Sequence, residues 1–142
     1  MEAQQLHRGR LIDHVHLVVA DLAASRRFYE AVLGAIGIPL GGSAEDYFWA
    51  DEFFVSTPAS AAAQGQLTGR HHLAFQAESR SVVEDFHAAG LAAGGRDNGA
   101  PGERPYHPGY YAAFLLDPDG NNIEAVYHGE ATRSAPSVTI DF

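Results

Sequence analysis

The sequence predicts an α+β fold made of two β-α-β-β-β modules, about 12–58 and 69–128. Three observations predict it. A strand-like alternation followed by a helix with an N-terminal cap signal occurs twice, first from Leu11 and again from His72. A gapless shift of 58 residues places His14 on His72, Phe28 on Phe86, Ala31 on Ala89, Leu33 on Leu91, Ala35 on Ala93 and Gly37 on Gly95. The element types coincide along with the residues, which marks an internal repeat of two units. Finally, Asp117-Pro118-Asp119-Gly120 is turn chemistry between two apolar runs, the signature of a closing hairpin.

Each element has its own reason. Residues 1–10 are polar and read as a loose tail. From Leu11 to Val19 the chain alternates, with His14, His16 and Val18 on one face and Val15, Leu17 and Val19 on the other. Asp21 is placed as an N-cap, and Phe28, Tyr29, Val32 and Leu33 give the following helix one apolar face that Gly34 or Gly37 can end. Strands are expected near Asp46–Trp49 and Phe53–Thr57, then a small polar linker over Ala59–Gly69. The second module opens with a strand from His72 to Ala77. Ser81-Val82-Val83-Glu84 reads as a capping box for a helix through Phe86 and Leu91 that Gly94-Gly95 ends. Residues 96–109 hold three prolines and three glycines and read as an exposed loop. Strands follow at Tyr110–Leu116 and Asn122–Tyr127; the tail 129–142 offers an edge strand at Val138–Phe142.

At 142 residues the chain suits one domain, 1–142, with 46% hydrophobic residues for its core. Cysteine is absent, which removes disulfides, thiolate nucleophiles and Cys-ligated metals. Lysine is absent as well, since all nine basic residues are arginines, so Schiff-base chemistry and P-loops are excluded. A formal charge of −9 argues against a nucleic-acid or anionic-membrane partner and is compatible with a cationic ligand. The sequence has no run of 18 apolar residues and no apolar stretch at its N-terminus, so a cytoplasmic location is expected.

Alternation also brings chemistry together. His72, Ala74 and Gln76 oppose Leu73, Phe75 and Ala77, while Asn122, Glu124 and Val126 oppose Ile123, Ala125 and Tyr127. With the apolar sets under the helices, His14, His72 and Glu124 are expected on one concave surface. Two imidazoles and a carboxylate suit one divalent ion (Fe, Mn, Zn or Ni) and leave positions open for substrate. Alternation and the repeat register both favour His72 over His71. His16 shares the face of His14 and is a candidate general base; with Glu124 it makes up the expected catalytic pair. His107, Tyr110 and Tyr111 follow the Pro/Gly-rich segment and, with Trp49, are candidate substrate-binding residues.

The stretch from Ile12 to Leu22, with Ser25 and Phe28-Tyr29, resembles the opening of the vicinal oxygen chelate superfamily. That group contains glyoxalase I, extradiol dioxygenases, fosfomycin-resistance proteins and bleomycin-binding proteins. His72-Leu73-Ala74-Phe75 is similar to its second-module strand, and Phe114 to Glu124 to its closing hairpin. The resemblance covers about residues 11–127. It implies sheets curled into an open, barrel-like cleft, a homodimer, a small-molecule substrate, and metal ligands at His14, His72 and Glu124. The departures narrow the choice. Glyoxalase I adds a carboxylate from the last strand of its first module; that strand here reads Glu52-Phe53-Phe54-Val55-Ser56-Thr57, apolar in its middle. Two-domain extradiol dioxygenases are about twice this length. The expected function is a metal-dependent enzyme that takes a small substrate through two neighbouring oxygens. The alternative is a non-enzymatic binding protein of the bleomycin-resistance type. With no lysine in the chain, Arg96 and Arg104 are the arginines considered for an anionic substrate, and the sequence places neither.

Overall fold

The computed structural model describes residues 4–142. In chain order its elements are β1 (Gln5–Arg8), β2 (Val15–Val18), α1 (Leu22–Ala35), β3 (Gly42–Ser43), β4 (Tyr47–Ala50), β5 (Phe53–Ser56), β6 (His72–Gln76), α2 (Arg80–Ala92), β7 (Arg96–Glu103), β8 (Tyr111–Leu116), β9 (Asn122–Tyr127) and β10 (Val138–Asp141), with a 3-10 turn at Ala61–Ala63. The fold is α+β: two four-stranded mixed sheets with two helices, and the sheets do not close into a barrel. The chain divides into two compact units. One holds the chain up to Leu22, Ile38–Thr68 and Thr132–Phe142; the other holds Ala23–Gly37 and Gly69–Ala131. This division differs from the two sequence modules, because α1 lies inside the first module in sequence yet belongs to the second unit.

In the first unit the sheet order is β2-β5-β4-β3, with β2 parallel to β5 and the other pairs antiparallel. The register pairs His16 with Phe54 and Trp49 with Phe54, so these three share a face. Leu17, Val19, Phe48, Ala50, Phe53 and Val55 are buried on the other. The ladder of β2 starts at Val15 rather than Leu11, and His14 stands just outside it. Of the expected loose tail, residues 1–3 lie outside the described residues. Gln5–Arg8 is instead a strand that pairs antiparallel with β10. The partner strand lies more than a hundred residues away in sequence, so no local pattern announces it.

In the second unit the order is β6-β9-β8-β7, with β6 parallel to β9. Both helices pack here. Gly90 of α2 is the point of closest approach: a Cβ there would stand 2.2 Å from Leu115 Cδ1 and 2.9 Å from Val32 Cγ1 of α1. Phe28, Tyr29, Val32 and Leu33 of α1 are buried, as are Val83 and Phe86 of α2. The repeat breaks in burial most sharply at one matched pair, since Leu33 is buried and Leu91 is exposed. The N-cap of α2 is Ser79 rather than Ser81; its side chain accepts from Val82 N–H at 3.2 Å, and the Ser81 hydroxyl bonds Ser79 at 2.9 Å. The helix ends as expected at Gly94, which takes φ +96°, with Gly95 N–H donating to Gly90 C=O.

The largest difference from the sequence reading is β7. Residues 96–103 are a strand, not a loop. β7 is at the sheet edge and pairs only with β8, so Pro101 needs no second ladder partner. The pairing shifts register between Asp97 and Gly99 and between Gly99 and Gly102. These bulges absorb the Pro/Gly composition, with Gly99 at φ +151°.

Candidate functional site

The site in the second unit is built outward from the Asp117–Asn121 turn. Asp117 is buried and accepts from the N–H groups of Asp119 (2.9 Å) and Asn121 (2.8 Å), from the Asn121 side-chain amide (2.8 Å) and from the Tyr29 hydroxyl. Burial and the facing Asp117 carboxylate raise the Tyr29 phenol well above its ordinary pKa, so it is a permanent donor. The Asn121 side-chain oxygen then accepts from His71 N–H at 2.7 Å, and His71 C=O accepts from Asn122 N–H. The turn thereby fixes the start of β6 against β9. It uses the backbone of His71 and delivers the side chain of His72.

The parallel register sets His72 opposite Asn122 and Ala74 opposite Glu124. Glu124 is 2% exposed, and its Oε1 lies 3.1 Å from His72 Nε2. The Tyr110 hydroxyl donates to the other oxygen, Oε2. Burial, then the hydrogen bond to Glu124, push the Tyr110 phenol up to about 12, so it keeps its proton at neutral pH. On the other side of the imidazole, Nδ1 lies 3.0 Å from the Asn122 carbonyl oxygen. A carbonyl can only accept, so Nδ1 donates to it and Nε2 is the ring atom turned toward the buried carboxylate. Two such atoms at that distance call for a positive group between them, either a proton or a metal ion. The donor set therefore fits a divalent cation.

Around this pair lies an aromatic and cationic rim. Phe114 pairs with Glu124 across the β8–β9 ladder, and its ring stacks on His72 with centroids 6.1 Å apart. Arg104 lies over the same Phe114 ring, its guanidinium carbon 5.3 Å from the centroid. His107 Nε2 and His128 Nδ1 are 2.8 Å apart, and both rings meet Tyr110 edge-on. Gly109 and Gly129 make this crossing possible. Both have positive φ, and a Cβ on Gly109 would stand 3.3 Å from Gly129 Cα.

The first unit holds the remaining candidates. His14 Nδ1 lies 2.7 Å from Asp13 Oδ1, and the side chain is 64% exposed. That carboxylate anchor fixes the proton on Nδ1 and leaves Nε2 free as a ligand atom. His16 Nε2 is 2.7 Å from the Ser56 hydroxyl. Because that hydroxyl donates onward to Thr57 C=O at 3.0 Å, His16 is the donor to Ser56. Burial, aided by His14, holds the His16 imidazole below its ordinary pKa. Its ring meets Phe54 edge-on, and Tyr47 stacks on the same Phe54 at 5.3 Å. Trp49 covers Gly41, where a Cβ would stand 2.3 Å from the indole. Among the described residues no cluster of three or more His, Asp or Glu side chains of metal-holding type is gathered.

Residues 11–125 match the family model of the Glyoxalase/Bleomycin resistance protein/Dioxygenase superfamily. The chain belongs to this superfamily. A glyoxalase/bleomycin resistance protein from Albidiferax ferrireducens is 36% identical, with 82% of this chain and 97% of that one covered and a TM-score of 0.69. A glyoxalase/bleomycin resistance protein/dioxygenase family enzyme from Burkholderia phytofirmans has 23% identity, coverages of 80% and 95%, and a TM-score of 0.63. A lactoylglutathione lyase from Agrobacterium tumefaciens has 20% identity, coverages of 82% and 92%, and a TM-score of 0.60; it and the Burkholderia enzyme are likenesses of fold. No curated protein matches the chain.

Within this superfamily member, the structure joins His72, Glu124 and Tyr110, and brings His107 to Tyr110. It does not bring Tyr111 to them: the Tyr111 hydroxyl donates to Glu84 at 3.2 Å, and Arg80 lies over its ring at 4.6 Å. Sequence reasoning passed over His128, Phe114 and the position of Arg104. His128 had a signal, because the alternation Asn122, Glu124, Val126 extends by one step to it. No helix among the described residues is long and apolar enough to cross a membrane.

Proposed function

We propose that this chain is a metal-dependent enzyme of its superfamily that binds a small substrate through two neighbouring oxygens. His14, His72 and Glu124 would hold one divalent ion, whether Fe, Mn, Zn or Ni. When bound, that ion supplies a Lewis acid for charge developing on a substrate oxygen. The observation that carries the reading is the His72–Glu124 pair: Nε2 faces a buried carboxylate at 3.1 Å, with Nδ1 already committed to a carbonyl. The Asp13 anchor on His14 supports the third ligand in the same way. Tyr110 stays protonated and donates its one O–H to Glu124 Oε2, which holds that carboxylate in place beside His72. His16, whose imidazole burial holds below its ordinary pKa, is the candidate base of the first unit. Trp49 and His107 remain candidate substrate contacts, and a homodimer remains the expected assembly.

Elemental analysis of the purified, metal-replete protein tests this directly. About one transition-metal ion per chain is expected, with Glu124→Gln and His72→Ala each lowering the content below about a tenth. Unchanged stoichiometry in Glu124→Gln would remove the site. A wild-type protein that takes up no metal and gains no thermal stability from added metal would leave the binding-protein reading in its place. Metal-replete protein is then screened against methylglyoxal–thiol adducts, catechols and fosfomycin.

A further inference from the structure

Among nine arginines, Arg104 occupies an unusual position. Its guanidinium lies over Phe114, whose ring also stacks on His72. It sits flat on the bulged stretch of β7. Nη2 donates to Ala100 C=O at 2.7 Å and Nη1 to Glu103 C=O at 3.3 Å. Two glycines keep the space it fills, since a Cβ on Gly99 would come within 3.3 Å of Nη2 and one on Gly102 within 3.1 Å of Nη1. The backbone beneath it is tied to the site as well: Arg104 N–H donates to Tyr110 C=O at 2.9 Å. Its positive charge reaches the Tyr110 phenol, where it acts against the upward shift that Glu124 causes.

The bonding around Arg104 is one-sided. Both of its hydrogen bonds go to backbone carbonyls, and no carboxylate among the described residues lies within ion-pair distance of it. An arginine has five N–H donors in a planar fork that matches the oxygens of a carboxylate or phosphonate. The remaining donors of Arg104 have no hydrogen-bond partner among the described residues. In a chain of net charge −9, a guanidinium with no ion pair among the described residues, set over the ring that also stacks on His72, is suited to attract an anion.

We propose that Arg104 is the anion-recognising residue of the site, and that the substrate carries an anionic oxygen group, a carboxylate or a phosphonate, which binds the Arg104 fork beside Phe114. The inference builds on the proposed function, because it specifies the substrate class of that same site. It also separates the enzyme from a binder of cationic drugs, whose ligand this guanidinium would repel.

Three small probes test it: benzoate, phenylphosphonate and the neutral benzamide. Each is titrated into chelator-treated and metal-loaded wild-type protein while backbone amide resonances are followed by NMR. At least one anion is expected to bind and to shift the signals of residues 98–104 and 110–114, with benzamide at least tenfold weaker. Whichever anion binds more tightly identifies the group as carboxylate or phosphonate. Arg104→Gln is expected to weaken the anion at least tenfold, and Arg104→Lys by less. Failure of both anions to bind, equal binding of benzamide, or an affinity in Arg104→Gln within twofold of wild type would each overturn the proposal. Circular dichroism of Arg104→Gln checks its fold, and Gly102→Ala supplies a second variant that displaces the guanidinium without removing it. Metal content separates this proposal from the reading beneath it. Arg104→Gln is expected to keep its metal, whereas Glu124→Gln loses metal and retains anion binding in the chelator-treated state.

Discussion

The two sheets carry the same strand arrangement and opposite chemistry. In each, the first strand runs parallel to the last strand of its sheet, which in turn pairs antiparallel with the strand before it. The shift of 58 residues sets His16 on Ala74, so the partner of His16, Phe54, holds the place that Glu124 holds opposite Ala74. Trp49 then corresponds to Phe114. One sheet puts a stack of rings where the other puts a buried carboxylate with an imidazole and a phenol on it. The first-unit carboxylate nearest that position, Glu52, sits two residues early and has its pKa raised by burial and by Asp51. A repeated scaffold thus leaves the charged group to one copy, the copy whose strand start is held by the Asp117–Asn121 turn.

Breaking that turn is expected to have the largest effect. Asp117→Ala orphans the buried Tyr29 hydroxyl, two backbone N–H groups and an amide, and should cost about 3 kcal/mol or more in urea denaturation. Gly90→Ala forces a methyl against Leu115 and Val32 and should cost about 1–3 kcal/mol. The matching test in the first unit is milder. Ser56→Ala removes the acceptor of His16 and the donor to Thr57 C=O, two neutral hydrogen bonds, and should cost about 1–2 kcal/mol. If Ser56→Ala destabilised as much as Asp117→Ala, the two units would be equally dependent on their polar anchors and the contrast would fail.

The smallest expected effect is one of pH. The hydrogen bond from His87, then that from Gly99 N–H, hold the Asp97 carboxyl below its ordinary pKa. A carboxyl lowered on folding stabilises above the ordinary carboxylate range, and its contribution fades as pH falls through the folded value. In His87→Ala the Asp97 pKa should rise toward the ordinary value, as read by carbon-13 NMR titration of the side-chain carboxyl. No movement would show that β7 is held to α2 by other contacts.

Much of the second unit was legible because its strands are two-faced. Apolar residues on one side of β6 and β9 left His72 and Glu124 together on the other, and the Asp-Pro-Asp-Gly turn fixed the hairpin between β8 and β9. What stayed hidden had specific causes. β7 is an edge strand with bulges, so its prolines and glycines satisfy strand geometry while spelling a loop. β1 and β10 recognise each other across the whole chain, which no window detects. Tyr110 and Tyr111 are sequence neighbours, read together as the start of one strand, yet β8 begins only at Tyr111; the structure sends Tyr111 to Glu84 and Tyr110 to Glu124. The packing of α1 in the second unit follows from side-chain fit at Gly90, which the repeat does not encode.

The interrupted register of β7 has a consequence for assembly. A straight, fully paired edge strand offers a row of free N–H and C=O groups to any extended chain that meets it. Two register shifts, Pro101 and the guanidinium lying across Gly99 and Gly102 break that row in several places. No second sheet can be templated along this border without first undoing the bulges. The same irregularity that seats Arg104 thereby keeps the edge from polymerising, so a variant that straightened β7 should show itself first as turbidity on storage rather than as a lower melting temperature.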